Sequence, residues 1–122
     1  MPKIYLSPST QDWNMYVTGS GSEEYNMNLL ADALVPYLLS NGIQYQRNRP
    51  EMTAGSSIRE ANQGEYDLYL ALHSNAAPEG RYGEERGIIA FYYPGSVGGQ
   101  RAAELIAQEL YQVIFLENKH WF

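Results

Sequence analysis

The run Asp67-Leu68-Tyr69-Leu70-Ala71-Leu72-His73-Ser74-Asn75-Ala76-Ala77 alternates little between apolar and polar residues. Gly64 bounds it on one side, and Pro78 and Gly80 on the other. That is how a strand buried on both faces reads. Such strands sit inside parallel sheets, and parallel neighbours need long crossovers, usually helices. This one segment narrows the chain to the α/β class.

The flanking segments supply the remaining parts. Lys3-Ile4-Tyr5-Leu6-Ser7 reads as a first strand closed by Pro8, and a polar, glycine-bearing loop follows over residues 9–21. Ser22 is a candidate N-cap, with Glu23 and Glu24 in the first turn, where carboxylates suit the helix dipole. Met27, Leu30, Ala31, Leu34, Val35 and Leu38 keep the spacing of one buried helix face. Pro36 predicts a kink or a local loosening, and Asn41-Gly42 a C-terminal stop. Ile43-Gln44-Tyr45-Gln46-Arg47-Asn48 alternates as a short strand. Ser57-Ile58-Arg59-Glu60 has the form of a capping box and predicts a short helix to about Gln63, ended by Gly64. Gly87-Ile88-Ile89-Ala90-Phe91-Tyr92-Tyr93 predicts a further strand. Pro94-Gly95-Ser96 then turns into a last helix with Ala102, Ala103, Ile106, Leu110 and Val113 on one face. The order β-α-β-α-β-β-α predicts a single three-layer α/β domain over residues 1–122. Its sheet is expected to be twisted and mostly parallel, with helices on both faces.

Composition excludes several function classes. The 122 residues are 44% hydrophobic and 18% charged, which is globular rather than disordered. A formal net charge of -6 leaves no basic stripe, so neither nucleic acid nor an anionic membrane is an expected partner. With no cysteine, disulfides and thiolate metal sites are ruled out, and any zinc site must use His, carboxylates and neutral oxygen ligands. No stretch is long and apolar enough to span a bilayer. Met1-Pro2-Lys3-Ile4-Tyr5 enters a strand without an apolar h-region, so no secretory signal peptide is expected. Eleven tyrosines suit sugar or peptide contacts, and equally suit ordinary strands.

In an open parallel sheet, ligands bind where the strands end. The first strand delivers Ser7, Ser9, Thr10 and Gln11 to that edge. The first helix begins on the same rim with Glu23 and Glu24, and the third strand brings His73, Ser74 and Asn75. A histidine there can ligate a metal or move a proton. A carboxylate and an imidazole in one cleft form half of a zinc site. The alternative is a hydrogen-bonded structural histidine beside carboxylates that only complement the helix dipole.

Glu24 followed at the fourth position by Asn28, then an apolar helix, resembles the second metal-ligand segment of the zinc-dependent N-acetylmuramoyl-L-alanine amidases of the amidase 3 type. Leu72-His73-Ser74-Asn75-Ala76 is similar to that family's segment with another zinc-binding histidine. Arg59 with Ala61-Asn62 matches the short helix before it, and Arg86-Gly87 opens the family's next strand. The resemblance covers nearly the whole chain in register. It implies an amidase-like fold, Zn2+ held by Glu24 and His73, and hydrolysis of the amide between N-acetylmuramic acid and L-alanine in peptidoglycan at the bacterial cell wall. It also implies substrate contacts from Asn75, Tyr82 and Arg86. Zinc would polarise the amide carbonyl and lower the pKa of the attacking water to about 7.

Two departures stand out. The family's histidine after the first strand is replaced here by Thr10, within Ser7-Pro8-Ser9-Thr10-Gln11. The family's later strand, with its catalytic glutamate, has no matching segment. Glu117 is the late candidate for that proton shuttle, His120 for the third ligand, and Thr10, Gln11 or Asp12 for completing coordination. The bulky tail from Tyr111 to Phe122 needs apolar cover, which a homodimer could provide. Two further functions fit the same residues. One is a catalytically incomplete relative acting as a cell-wall binding module, and the other an unrelated doubly wound domain.

Overall fold

The computed structural model describes residues 1–74 and 87–116, with only the backbone for 113–116. It divides into two compact units, Met1–Asn75 and Ala76–Phe122. The first holds β1 (Lys3–Pro8), α1 (Glu23–Ser40), β2 (Gln44–Arg47), α2 (Ala54–Gln63) and β3 (Leu68–Leu72), and the second holds α3 (Val97–Leu116). The three strands form a parallel sheet in the order β2-β1-β3. The chain is a small α/β protein.

β1 is the strand covered on both faces, buried from Ile4 to Pro8. Ile4 and Leu6 point to one face and build the core with Ala31 and Leu38 of α1. Leu34, Val35, Ile43, Tyr45, Leu68, Leu70 and Leu72 pack around them. On the opposite face Tyr5 is fully buried. Its ring lies parallel to that of Tyr69, 5.5 Å away, and meets Tyr66 edge-on at 5.4 Å. Its hydroxyl donates to Glu60 Oε1 of α2 at 3.1 Å. Burial first, and then that carboxylate, push the Tyr5 phenol up to about 12.

A buried amide ties β1, β2 and α2 together on this second face. Asn48 Nδ2 lies 3.2 Å from Ser7 Oγ, 3.1 Å from the Pro8 carbonyl and 3.2 Å from Ser57 Oγ. Tyr69 brings β3 into the same network by donating to Ser7 Oγ at 2.8 Å.

α1 follows its local signals. Ser22 caps it, accepting from the Tyr25 N–H at 3.1 Å. Its end is a Schellman motif: the Ile43 N–H donates to the Leu38 carbonyl at 2.9 Å and the Gly42 N–H to Leu39 at 3.1 Å. Gly42 has φ of 71°, a left-handed conformation that costs glycine nothing. The helix runs unbroken through Pro36.

Three expectations are corrected. The run ending at His73 is not buried on both faces. In β3 only Leu68, Leu70 and Leu72 turn inward, while Tyr69 and Ala71 are exposed, because β3 is an outer strand among the described residues. α2 begins earlier than Ser57, at Ala54, under a capping box of Thr53 and Ser56. Ser57 is instead a buried helical residue whose hydroxyl donates to the Thr53 carbonyl at 2.9 Å. Residues 87–93 form no strand. Ile89, Phe91 and Tyr93 are exposed, Phe91 at 81%, and no ladder partner for them occurs among the described residues.

In the second unit, Pro94-Gly95 forms a turn closed by the Ser96 N–H on the Tyr93 carbonyl at 3.0 Å, with Gly95 at φ of 88°. Ser96 Oγ then accepts from the Gly99 N–H at 3.1 Å and opens α3. Along α3, Ala103 is buried and Ala102 partly so, whereas Ile106 and Leu110 are exposed. The side chains from Val113 onward, which make up most of the Tyr111–Phe122 tail on which the homodimer expectation rests, lie outside the described residues. Among the described residues no helix is long and apolar enough to cross a membrane.

Candidate functional site

Ser9, just past the end of β1, closes the β1–β3 ladder, its N–H donating to the carbonyl of Leu72, the last residue of β3, at 2.9 Å. This fixes the first residue of the following loop against the residue just before His73. The Ser9 hydroxyl accepts from the Gln11 N–H at 3.1 Å and donates to Glu23 Oε2. Glu23 is the first residue of α1, and its own N–H donates to the Asn14 carbonyl at 2.8 Å. Its carboxylate therefore enters from the positive end of an 18-residue helix.

The side chain of Glu23 is only 2% exposed. Its other oxygen, Oε1, accepts from the Ser74 N–H at 3.0 Å and from Ser74 Oγ at 3.2 Å. Tyr16 of the loop meets Ser74 Oγ at 2.6 Å. The single proton of Ser74 Oγ is directed to Glu23, so Tyr16 is the donor to Ser74. None of the Lys or Arg ion pairs among the described residues reaches Glu23.

The imidazole of His73 lies beside it. Its Nδ1 stands 3.6 Å from Glu23 Oε2, and its ring is 45% exposed. That distance is too long for a hydrogen bond. Two ligands each about 2.1 Å from a tetrahedral zinc stand about 3.4 Å apart. The pair is thus spaced to share an ion. A buried carboxylate is costly without a cation, and this one has only an imidazole nearby. The pair fits two positions of a zinc site. Among the described residues there is no group of three or more His, Cys, Asp or Glu that could hold a metal.

The carboxylate brought to His73 is therefore Glu23, whereas the resemblance pointed to Glu24. Adjacent helical residues differ by about 100° in direction, so one of the two turns inward. Glu24 is partly exposed, and its N–H donates to the Gln11 carbonyl at 3.3 Å. Asn28 donates to the Glu24 carbonyl and accepts from Arg47, with no part in the His73 pair. Thr10 is partly buried, its carbonyl accepting from the Asp12 N–H at 3.0 Å. Gln11 spends its side-chain oxygen on Asn14 Nδ2 at 3.3 Å. Asn75, Tyr82, Arg86, Glu117 and His120 lie outside the described residues. Tyr16 is the site residue that sequence reasoning missed. A tyrosine in a polar loop carries no signal of its own.

A concavity of about 400 Å³ is lined by Ile58, Ala61, Asn62, Gly64, Tyr66 and Tyr69. It shares no lining residue with the Glu23 site. Compared with protein-family models, curated proteins and solved structures, the chain finds no match.

Proposed function

We propose that this chain is a zinc-dependent hydrolase domain similar to the N-acetylmuramoyl-L-alanine amidases, with an amidase-like three-layer fold. Its reaction would be cleavage of the amide between N-acetylmuramic acid and the L-alanine of the stem peptide, at the bacterial cell wall. The observation that carries this is the buried Glu23 carboxylate with Oε2 3.6 Å from His73 Nδ1. The two groups come from the opening of α1 and the end of β3, the two segments where the resemblance expects metal ligands.

Glu23 and His73 would hold the ion as two of the three or more protein ligands that catalytic zinc sites normally have. Zinc in such a site polarises an amide carbonyl and lowers the pKa of a bound water to about 7. The chain's own residues do the positioning. Ser9 and Ser74 fix the carboxylate, and the half-exposed His73 ring keeps the pair open to a solvent-borne substrate.

A second reading draws on the concavity beside α2 and β3. Tyr66, Tyr69 and Asn62 offer aromatic faces and an amide, which suit a wall saccharide or peptide. The chain would then be a non-catalytic wall-binding module. The deciding experiment measures zinc content of the purified chain and release of stem peptide from purified walls. One zinc per chain with new L-alanine amino termini supports the amidase. Zinc without cleavage favours the binding module, and absence of both overturns the metal site.

A further inference from the structure

We infer that the outer edge of β3 binds the same edge of a second copy of this chain, the two strands running antiparallel about a two-fold axis at Leu70. The pairing uses no metal. Among the described residues β3 has one ladder neighbour, β1. The bond from the Ser9 N–H to the Leu72 carbonyl shows that Leu72 turns its backbone groups to β1. Along a parallel ladder these groups alternate from residue to residue. The register is constant from Tyr5 and Tyr69 to Pro8 and Leu72, so Leu70 turns the same way. Tyr69 and Ala71 therefore turn their N–H and C=O groups to the outer edge, and both residues are exposed. An apolar edge of this kind is a template for another strand. Charged residues and proline are what deter such pairing, and Leu68-Tyr69-Leu70-Ala71-Leu72 has neither.

The edge is complementary to itself. In an antiparallel pair, opposite residues alternate between those that exchange both backbone hydrogen bonds and those that exchange none. An axis at Leu70 sets Tyr69 opposite Ala71 of the second copy, and Ala71 opposite its Tyr69. These are the outward-facing residues, so each pair exchanges both of its bonds. Leu70 then meets Leu70, and Leu68 meets Leu72, at the positions that exchange none. The leucines of both strands share one face, where those of a single chain are only partly buried. One rung beyond, the exposed Asp67 carboxylate comes opposite the half-exposed His73 imidazole at both ends, an acceptor facing a donor. That match belongs to the antiparallel self-pair, and an unrelated extended peptide does not supply it. The two-fold uses up the β3 edge of both copies, so assembly through it closes at a dimer. A ladder of five residues is small. It belongs with the weak, reversible contacts that bury under about 1,200 Å².

The test follows the full 122-residue chain by sedimentation from micromolar to millimolar concentration, with amide hydrogen exchange read by NMR at both ends of that range. The apparent mass is expected to rise from one chain toward two. The Tyr69 and Ala71 amides should exchange fast in the dilute chain and several-fold more slowly in the concentrated one. Those of Leu70 and Leu72, which already face β1, should change little. Ala71→Pro removes an outward N–H, which an edge strand tolerates, and is expected to abolish the dimer. Cooperative urea unfolding is its fold control. The exchange pattern needs no variant, so it decides the matter even where Ala71→Pro fails to fold. A chain that stays single at every concentration overturns the inference. So does equal protection of Tyr69 and Ala71 in dilute and concentrated chain, which would mean that the chain covers its own edge. A dimer that persists in folded Ala71→Pro, or that leaves both amides exchanging fast, places the contact on another face and also overturns it.

Discussion

Glu23 Oε2 and His73 Nδ1 stand 3.6 Å apart, too far to share a proton and close enough to share an ion. The inward carboxylate is Glu23, so the neighbouring glutamates are expected to respond differently. Glu23→Gln should reduce zinc affinity by more than the ~100-fold upper range of an outer partner. Glu24→Gln should change it by less than about threefold, in the range of a surface substitution. A competition titration against a zinc-binding dye checks this. A loss confined to Glu24→Gln refutes the Glu23 assignment.

His73 is half exposed, so its ring contributes more to the site than to the core. His73→Ala should shift the stability of the metal-free chain by under about 1 kcal/mol. It should also abolish zinc-induced stabilisation. For a wild type that binds zinc as proposed, that gain would be about 2.7 kcal/mol at a zinc concentration 100 times Kd. Calorimetric melting with and without zinc measures both. Collapse of the metal-free variant would make His73 a structural residue.

Tyr5 sets a limit on the alkaline side. Its phenol is raised from 10.0 to about 12 in the folded chain. Between those values the unfolded chain gives up the proton first and binds fewer protons than the native one. Stability therefore falls as pH rises through this window. The contribution is fully present below pH 10.0 and is lost above about 12. Tyr5→Phe should flatten that slope and cost about 1 kcal/mol at neutral pH, for the lost bond to Glu60. Urea unfolding at several alkaline pH values tests the difference. Parallel wild-type and variant curves would exclude Tyr5 as its source.

Asn48 is buried, and the two N–H groups of its amide lie within reach of three acceptors. Asn48→Ala should destabilise the chain by about 2–3 kcal/mol, because the Pro8 carbonyl and two serine hydroxyls lose a donor away from water. The urea midpoint should move with little change in slope. A cost below about 0.5 kcal/mol, typical of a surface site, would show that water replaces the amide.

Much of α1 was legible because its signals are local. Ser22, the spacing of Ala31, Leu34, Val35 and Leu38, and Asn41-Gly42 each act within a few residues, and the structure uses them as expected, whereas Leu30, expected on the same buried face, is half exposed and Met27 lies outside the core cluster. Choosing Glu23 over Glu24 was not legible. The choice depends on how the whole helix is rotated against β1, and the motif spacing to Asn28 pointed the other way. The start of α2 was misread because Ser57 and Glu60 fit the capping pattern as well as Thr53 and Ser56 do. What decided it was distant, since Asn48 needs the Ser57 hydroxyl indoors. Residues 87–93 have strand composition, but a strand is a property of two backbones, and composition shows only one.

The rung from the Ser9 N–H to the Leu72 carbonyl joins the loop that leaves the most shielded strand of the sheet to the end of β3, just before His73. Movement of Ser9 away from His73 then demands unzipping of the sheet itself. The amide hydrogen of Ser9 should consequently exchange with heavy water on the clock of global unfolding, alongside that of Leu6, while loop amides a few residues on exchange far sooner.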